Sequence, residues 1–268
     1  MVKRILFIFI LLICGFSFSQ LSKNHYIPPI SSGPSNADPL DQLMYISTPS
    51  QGDVNFTINI VGGNSISGTV SNATPYVYGI ADSGYSSFVQ DPATTSRVTS
   101  DKGYIINADS PIYVSVRLNA GNNAQAGALV SKGENALGTT FRIGTYDNQG
   151  SPGSNYLNFF SFMATEDNTT VNLTNERVTS GLQIQNAGAQ QFPINNISLN
   201  RGQTYVVAVK PEDTNENRAG LIGTLVSSDK PIVVNSGSAN GSFGNGGARD
   251  YGIDQIVELS KVGKEYIF

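Results

Sequence analysis

Arg249, Asp250, Tyr251 and Asp254 form the densest group of chemically capable side chains in the sequence. They follow a run rich in glycine, serine and asparagine (235–248), which itself leaves the short apolar stretch 231–234. A guanidinium, a phenol and two carboxylates at this spacing suit a polar contact surface, and they are the candidate interaction loop. Gly241, Gly244, Gly246 and Gly247 also raise a phosphate-cradling reading. That chemistry needs a strand, then glycines, then a helix N-terminus aimed at the phosphates. Neither the G-x-G-x-x-G spacing nor a Gly-Lys-Ser/Thr run is present, and no convincing helix follows. The glycines read instead as a loop that turns tightly beside its neighbour.

Other chemistries meet similar limits. His25 is the only histidine and Cys14 the only cysteine, so a Ser-His-Asp triad has no core imidazole and a transition-metal site no usual ligand set. His25 is expected to be a solvated residue of an N-terminal tail. The carboxylate pairs Asp250/Asp254, Glu166/Asp167 and Glu212/Asp213 are neighbours on one strand or turn. A glycosidase needs two carboxyls facing across a cleft, about 5–10 Å apart. Calcium is the best-suited ion, with oxygen ligands in "NADPLDQ", "EDTNEN" and "DYGID", but none of these has EF-hand spacing. No cofactor is expected, with structural calcium as the open alternative. Tyr76, Tyr78, Tyr85, Tyr104 and Tyr113 offer an aromatic platform for sugars, though without tryptophan. The expectation is a non-enzyme; an exported carboxylate-dependent hydrolase and a lectin-like module are the alternatives.

The elements that position these residues are strands. Val54, Phe56, Ile58 and Ile60 alternate with polar neighbours, the period of a half-buried strand. "GYIINADSPIYVSVRL" is expected to break at 109–111 into two strands. "NFFSFMATEDNTTVNLT" is expected to be a hairpin, and "DQIVELSKVG" a two-turn helix at most. The chain also resembles itself. Gly103, Asp109, Pro111, Ile112, Val114 and Gly121 match Gly223, Asp229, Pro231, Ile232, Val234 and Gly241 at an offset of 120. The fold class is therefore all-β, in antiparallel units of about 120 residues, propeller-like or alternatively tandem β-sandwiches.

Residues 1–19 read as a signal peptide: Lys3 and Arg4, an apolar run too short to span a bilayer, then Ser17 and Ser19 before the cut. Residues 20–41, rich in proline and serine, read as an extended leader. The β-repeat region is 42–268, with units at about 42–140 and 141–268. The second unit stops inside an apparent strand, so the folded unit is expected to continue past Phe268. Removing Lys3 and Arg4 from 16 basic residues leaves 14 against 20 acidic, a net charge of −6. An exported, cysteine-free, mildly acidic chain without a basic cluster argues against nucleic acid. It has no further apolar run long enough to cross a membrane.

The phrases "LSKNHYIPPI", "DQLMYISTPS", "DKGYIINADSPIYVSVRLNAGNNAQAGALVSKGENALGTTFRIG", "FFSFMATEDNTTVNL" and "GARDYGIDQIVELSKVGKEYIF" carry a family resemblance. Together they resemble the N-terminal region of gliding-motility-associated, type IX-secreted surface proteins of Bacteroidota. That region is similar to the domain named for the IgG Fc-binding mucus protein. The resemblance covers nearly the whole chain after residue 19. It implies a secreted or cell-surface β-rich module, with a surface protein or glycan as partner and a role in adhesion or gliding motility. It supplies no catalytic residue, and no type IX sorting domain is present in the sequence.

Overall fold

Alternation places Val54, Phe56 and Ile58 inside and Asn55 outside, and the computed structural model pairs strands wherever this period holds. It describes residues 20–32, 39–120, 125–145, 158–177, 181–188, 192–210, 214–241 and 250–262. Residues 1–19, the expected signal peptide, lie outside them. Ten strands come first: β1 (Ser22–Ile27), β2 (Ile30–Ser31), β3 (Pro39–Ser47), β4 (Val54–Ile60), β5 (Ser65–Val70), β6 (Tyr76–Ser83), β7 (Val89–Gln90), β8 (Val98–Thr99), β9 (Tyr104–Ala120) and β10 (Gln125–Val130). Seven follow: β11 (Gly138–Arg142), β12 (Asn158–Ala164), β13 (Thr169–Thr174), β14 (Ile194–Leu199), β15 (Thr204–Ala208), β16 (Leu225–Gly241) and β17 (Asp250–Ile256). The protein is all-β, with a half-barrel sheet and a nearly closed barrel-like sheet.

Two spine strands, β9 and β16, organise everything, each 17 residues long. The first half of β9 pairs with β1 and β4, and its second half with β3 and β10. In the same way β16 pairs with β11 and β13, then with β12 and β17. Outside these, β5 joins β4, β6 joins β3, β14 joins β13 and β15 joins β12. The seven-strand pattern thus occurs twice, strand for strand. Each copy holds two four-stranded sets that share one spine.

Several sequence expectations change here. No break occurs at 109–111: β9 runs straight through. A proline has no N–H to give a ladder, and Pro111 and Pro231 fall where each spine exchanges one pair of neighbours for the other. The expected hairpin of β12 and β13 is not one, because both pair with β16 on different halves and not with each other. The turn between them carries the chain from one half of the spine to the other. The expected helix at 254–263 is the end of β17 followed by a 3₁₀ turn, Leu259–Lys261.

The leader is also more than a leader. β1 is the first strand of the first copy, in the place β11 holds in the second. The first copy therefore begins at Ser22 and the second at Gly138, rather than at about 42 and 141. Composition misled because prolines 28 and 29 suggest an unpacked segment, yet they lie against a sheet face where no ladder donor is needed. His25, read as a solvated tail residue, is 0% exposed.

The repeated Gly103 and Gly223 have φ of +98° and +83°. Glycine alone adopts this region without cost, which is why these two positions match across the repeat.

Candidate interaction face

Residues directly opposite each other on paired strands share a face. On the second copy one such row is Val206, Ser161, Asn235 and Gln255, crossing β15, β12, β16 and β17. The chain segment between β1 and β2 lies over it. Gln255 Nε2 donates to Tyr26 O at 2.8 Å, Asn235 Nδ2 to Pro28 O at 2.8 Å, and Ser161 Oγ to Pro29 O at 2.5 Å. Three successive strands thus each supply one donor to a carbonyl of the segment 26–29. The short parallel pair of β2 and β7 extends this cover, and β8 adds an edge strand beside β15. As a result Val206, Ser161, Phe159, Met163, Val233 and Asn235 are all 0% exposed.

The corresponding row on the first copy is Val77, Tyr45, Ser115 and Val130. Beside it run Leu43 with Arg117 and Ser47 with Tyr113. Val77 is 49% exposed, Arg117 is exposed, and Leu43, Tyr45, Tyr113 and Val130 are half-buried. The Arg117 guanidinium stands over the Tyr45 ring, 5.2 Å from its centroid, a cation–π arrangement. Arg117 stands where the second copy has Gly237, whose added Cβ would meet Gly252 O at 2.2 Å. The face packed shut in the second copy is open, aromatic and capped by one cation in the first.

The loop residues singled out in the sequence lie at the seam between the copies. Asp250 Oδ1 accepts the Ala126 N–H at 3.0 Å. Tyr251 is 4% exposed, and its Cβ would be 2.5 Å from one added to Gly127. Asp254 pairs with Lys132 Nζ at 2.7 Å. Arg249 lies outside the described residues. Asp250 and Asp254 share one strand and do not face each other across a cleft. Asp167 accepts the Arg201 N–H at 2.9 Å in a turn, and Glu212 and Asp213 lie outside the described residues. Among the described residues no three His, Cys, Asp or Glu come together to hold a metal ion.

The five tyrosines expected as a platform divide. Tyr104 is buried, edge-on to Tyr78 at 6.3 Å, and Tyr76 packs edge-on against Phe56 at 4.9 Å. Burial raises the pKa of Tyr104 and Tyr78, as expected for phenols of a core. Tyr85 is exposed in a loop. Only Tyr113 joins the open face, beside Tyr45. Sequence reasoning missed Tyr45, Arg117 and Val77 because exposure of a face depends on what covers it, and alternation shows only that faces exist.

His25 belongs to the seam as well. Nε2 lies 3.1 Å from Ser22 O and 3.0 Å from Ile112 O, so it must carry the hydrogen. Nδ1 then accepts from Ser131 Oγ at 2.9 Å. Ser131 has one hydroxyl hydrogen, given to Nδ1, and the adjacent Lys132 N–H donates to Gln255 Oε1 at 2.7 Å. A chain of buried polar groups thus links β1 to β17. Desolvation lowers the His25 pKa, against the raising effect of its two carbonyls and of Glu134. The unfolded chain therefore takes up the proton more readily than the folded one. Stability is full above about pH 6.5, the unfolded value, and is lost as pH falls through it toward the folded value. Urea midpoints are expected to drop between pH 7.5 and 5 in the native chain, and by less in His25→Gln. Equal slopes in the two would remove His25 as the cause.

The chain is a repeated β fold with one closed and one open face. A family model described as IgGFc binding protein matches residues 126–268, from β10 to the end of the chain. The match spans more than half of the sequence, and the chain belongs to that family. No curated protein and no solved structure matches it significantly.

Proposed function

We propose that this chain is the partner-binding part of an exported surface protein, and that the open face of the first copy is its contact surface. The single observation that carries this reading is the difference between equivalent faces: the second is sealed by the chain itself, and the first presents Tyr45, Arg117, Val77 and Tyr113 to solvent. Tyrosine and arginine are the side chains most enriched at binding hot spots, and an exposed apolar patch rimmed by polar groups marks an interaction site.

The signal-like segment at residues 1–19 and the extracellular habit of the family support export. The resemblance to gliding-motility-associated surface proteins supports a role in adhesion or gliding. Among the described residues no helix is long and apolar enough to cross a membrane. The family's name makes the Fc region of IgG one ligand to include in a test, alongside other surface proteins and glycans. Asp250, Tyr251 and Asp254 are engaged between the copies, so their part is to hold the face in place.

Labelled chain should bind a panel of surface proteins, Fc and glycans selectively. Tyr45→Ala with Val77→Asp should weaken the strongest interaction at least about tenfold, with thermal unfolding unchanged. Undiminished binding by this double variant would move the contact surface elsewhere.

A further inference from the structure

We propose that the open face of the first copy receives an extended, proline-containing peptide segment of a partner protein, laid across the strands as residues 26–30 are laid across the second copy. This rests on the reading that the face is the binding surface, and it adds the chemistry of what binds.

The second copy supplies the template. There Tyr26 and Ile27 end β1 on β9, and Ile30 opens β2 on β7. Pro28 and Pro29 carry the chain between them outside any ladder, and side chains of the second copy supply the hydrogen bonds to this stretch. Those side chains, Gln255, Asn235 and Ser161, all act as donors toward it. A crossing segment with ordinary residues would press its own N–H groups against an apolar face with nothing to accept them. Proline has no N–H, so Pro28 and Pro29 offer carbonyls and leave no orphan donor.

The open face makes the same demand. Its central row, Val77, Tyr45, Ser115 and Val130, is apolar with two hydroxyls, and Ser115 at its centre is buried. The neighbouring row adds Arg117, which donates and cannot accept. No carboxylate or carboxamide stands in either row. Such a surface suits a ligand rich in carbonyls and poor in N–H donors. Tyr45 and Tyr113 supply flat rings of the kind against which proline rings pack in grooves that read extended proline segments. The size also fits. Four strands span about 14 Å between the outer two, and an extended proline-type segment rises about 3.1 Å per residue. About five residues cross the face.

A fluorescent peptide, NHYIPPISS, and a control with both prolines replaced by alanine would be titrated against the native chain, Tyr45→Ala, Arg117→Ala and, as a control off the face, Tyr85→Ala. Thermal unfolding of each variant checks that the fold is kept. The expected result is saturable binding, weakened at least about tenfold by Tyr45→Ala, by Arg117→Ala and by removal of the prolines, and unchanged in Tyr85→Ala. Equal binding by the native chain and the two face variants overturns the proposal, since the peptide would then sit elsewhere, the second copy's face included. Equal binding of the alanine peptide, or none up to about 1 mM, also overturns it. If the panel interaction is lost in Tyr45→Ala while the peptide fails to bind, the face stands and only the proline segment falls.

Discussion

Gln255→Leu is expected to lower stability by about 2–5 kcal/mol. The side chain is 0% exposed and serves three neighbours. Its Nε2 reaches Tyr26 O at 2.8 Å and Asn235 Oδ1 at 3.3 Å; its Oε1 takes the Lys132 N–H at 2.7 Å. Leucine fills nearly the same volume, so the packing loss is small. What remains is a backbone carbonyl and a backbone N–H without partners in a dry seam, each costing about 1–3 kcal/mol. Against a total of about 5–15 kcal/mol for a native protein, that is a large fraction. Urea unfolding at pH 7.5 checks it: the midpoint should fall with the slope unchanged. A loss below about 1 kcal/mol would mean that water replaces the amide. Gln255→Glu should do worse near neutral pH, since it keeps the acceptor, removes the donor and buries a charge.

Gly103→Ala should cost about 3 kcal/mol. Two penalties combine. At φ +98° a side chain is strained by about 1–2 kcal/mol. The new Cβ would also stand 2.8 Å from Ile27 O and 2.4 Å from Met163 Cε. The methionine end can swing aside, but the carbonyl belongs to the backbone at the end of β1, so the clash adds about 1–3 kcal/mol. Gly103 is further held by its N–H on Ser87 O at 2.6 Å and by its own carbonyl on Val61 N at 3.1 Å. Gly223→Ala makes the comparison clean. It has φ +83°, but the nearest neighbour of an added Cβ is the Arg177 side chain at 3.6 Å. It should show the strain without the clash and lose only about 1–2 kcal/mol. Equal losses at the two positions would show that the close approach to Ile27 O contributes nothing.

Much of the architecture was legible before any coordinates. Alternation at Val54, Phe56 and Ile58 marked a strand with one buried side, and that holds because a period of two depends only on the pleat. The offset of 120 marked two copies, and β9 and β16 occupy it. Pairing was not legible. The turn between β12 and β13 has hairpin chemistry, but which strands a turn brings together depends on the long spine between them. The leader failed for a related reason: prolines at 28 and 29 argue against a ladder, and nothing local says that a sheet face far along the chain will receive their carbonyls.

The candidate site was the least legible part. Arg249, Asp250, Tyr251 and Asp254 stood out by residue type, and the three described ones lie at the join between copies. Tyr45, Arg117 and Val77 are ordinary strand residues in the sequence. Their equivalents, Ser161, Gly237 and Val206, lie on a face sealed by residues 26–30.

By itself, then, the sequence determined the strand period, the duplicated spine and the chemistry that is missing, because these follow from residue type and spacing along one chain. Only the tertiary structure decided which of two equivalent faces stays open. That depends on where a distant segment lands, and the free energy of burying a face comes from contacts between residues far apart in the chain, Pro28 with Asn235, 207 positions apart, among them.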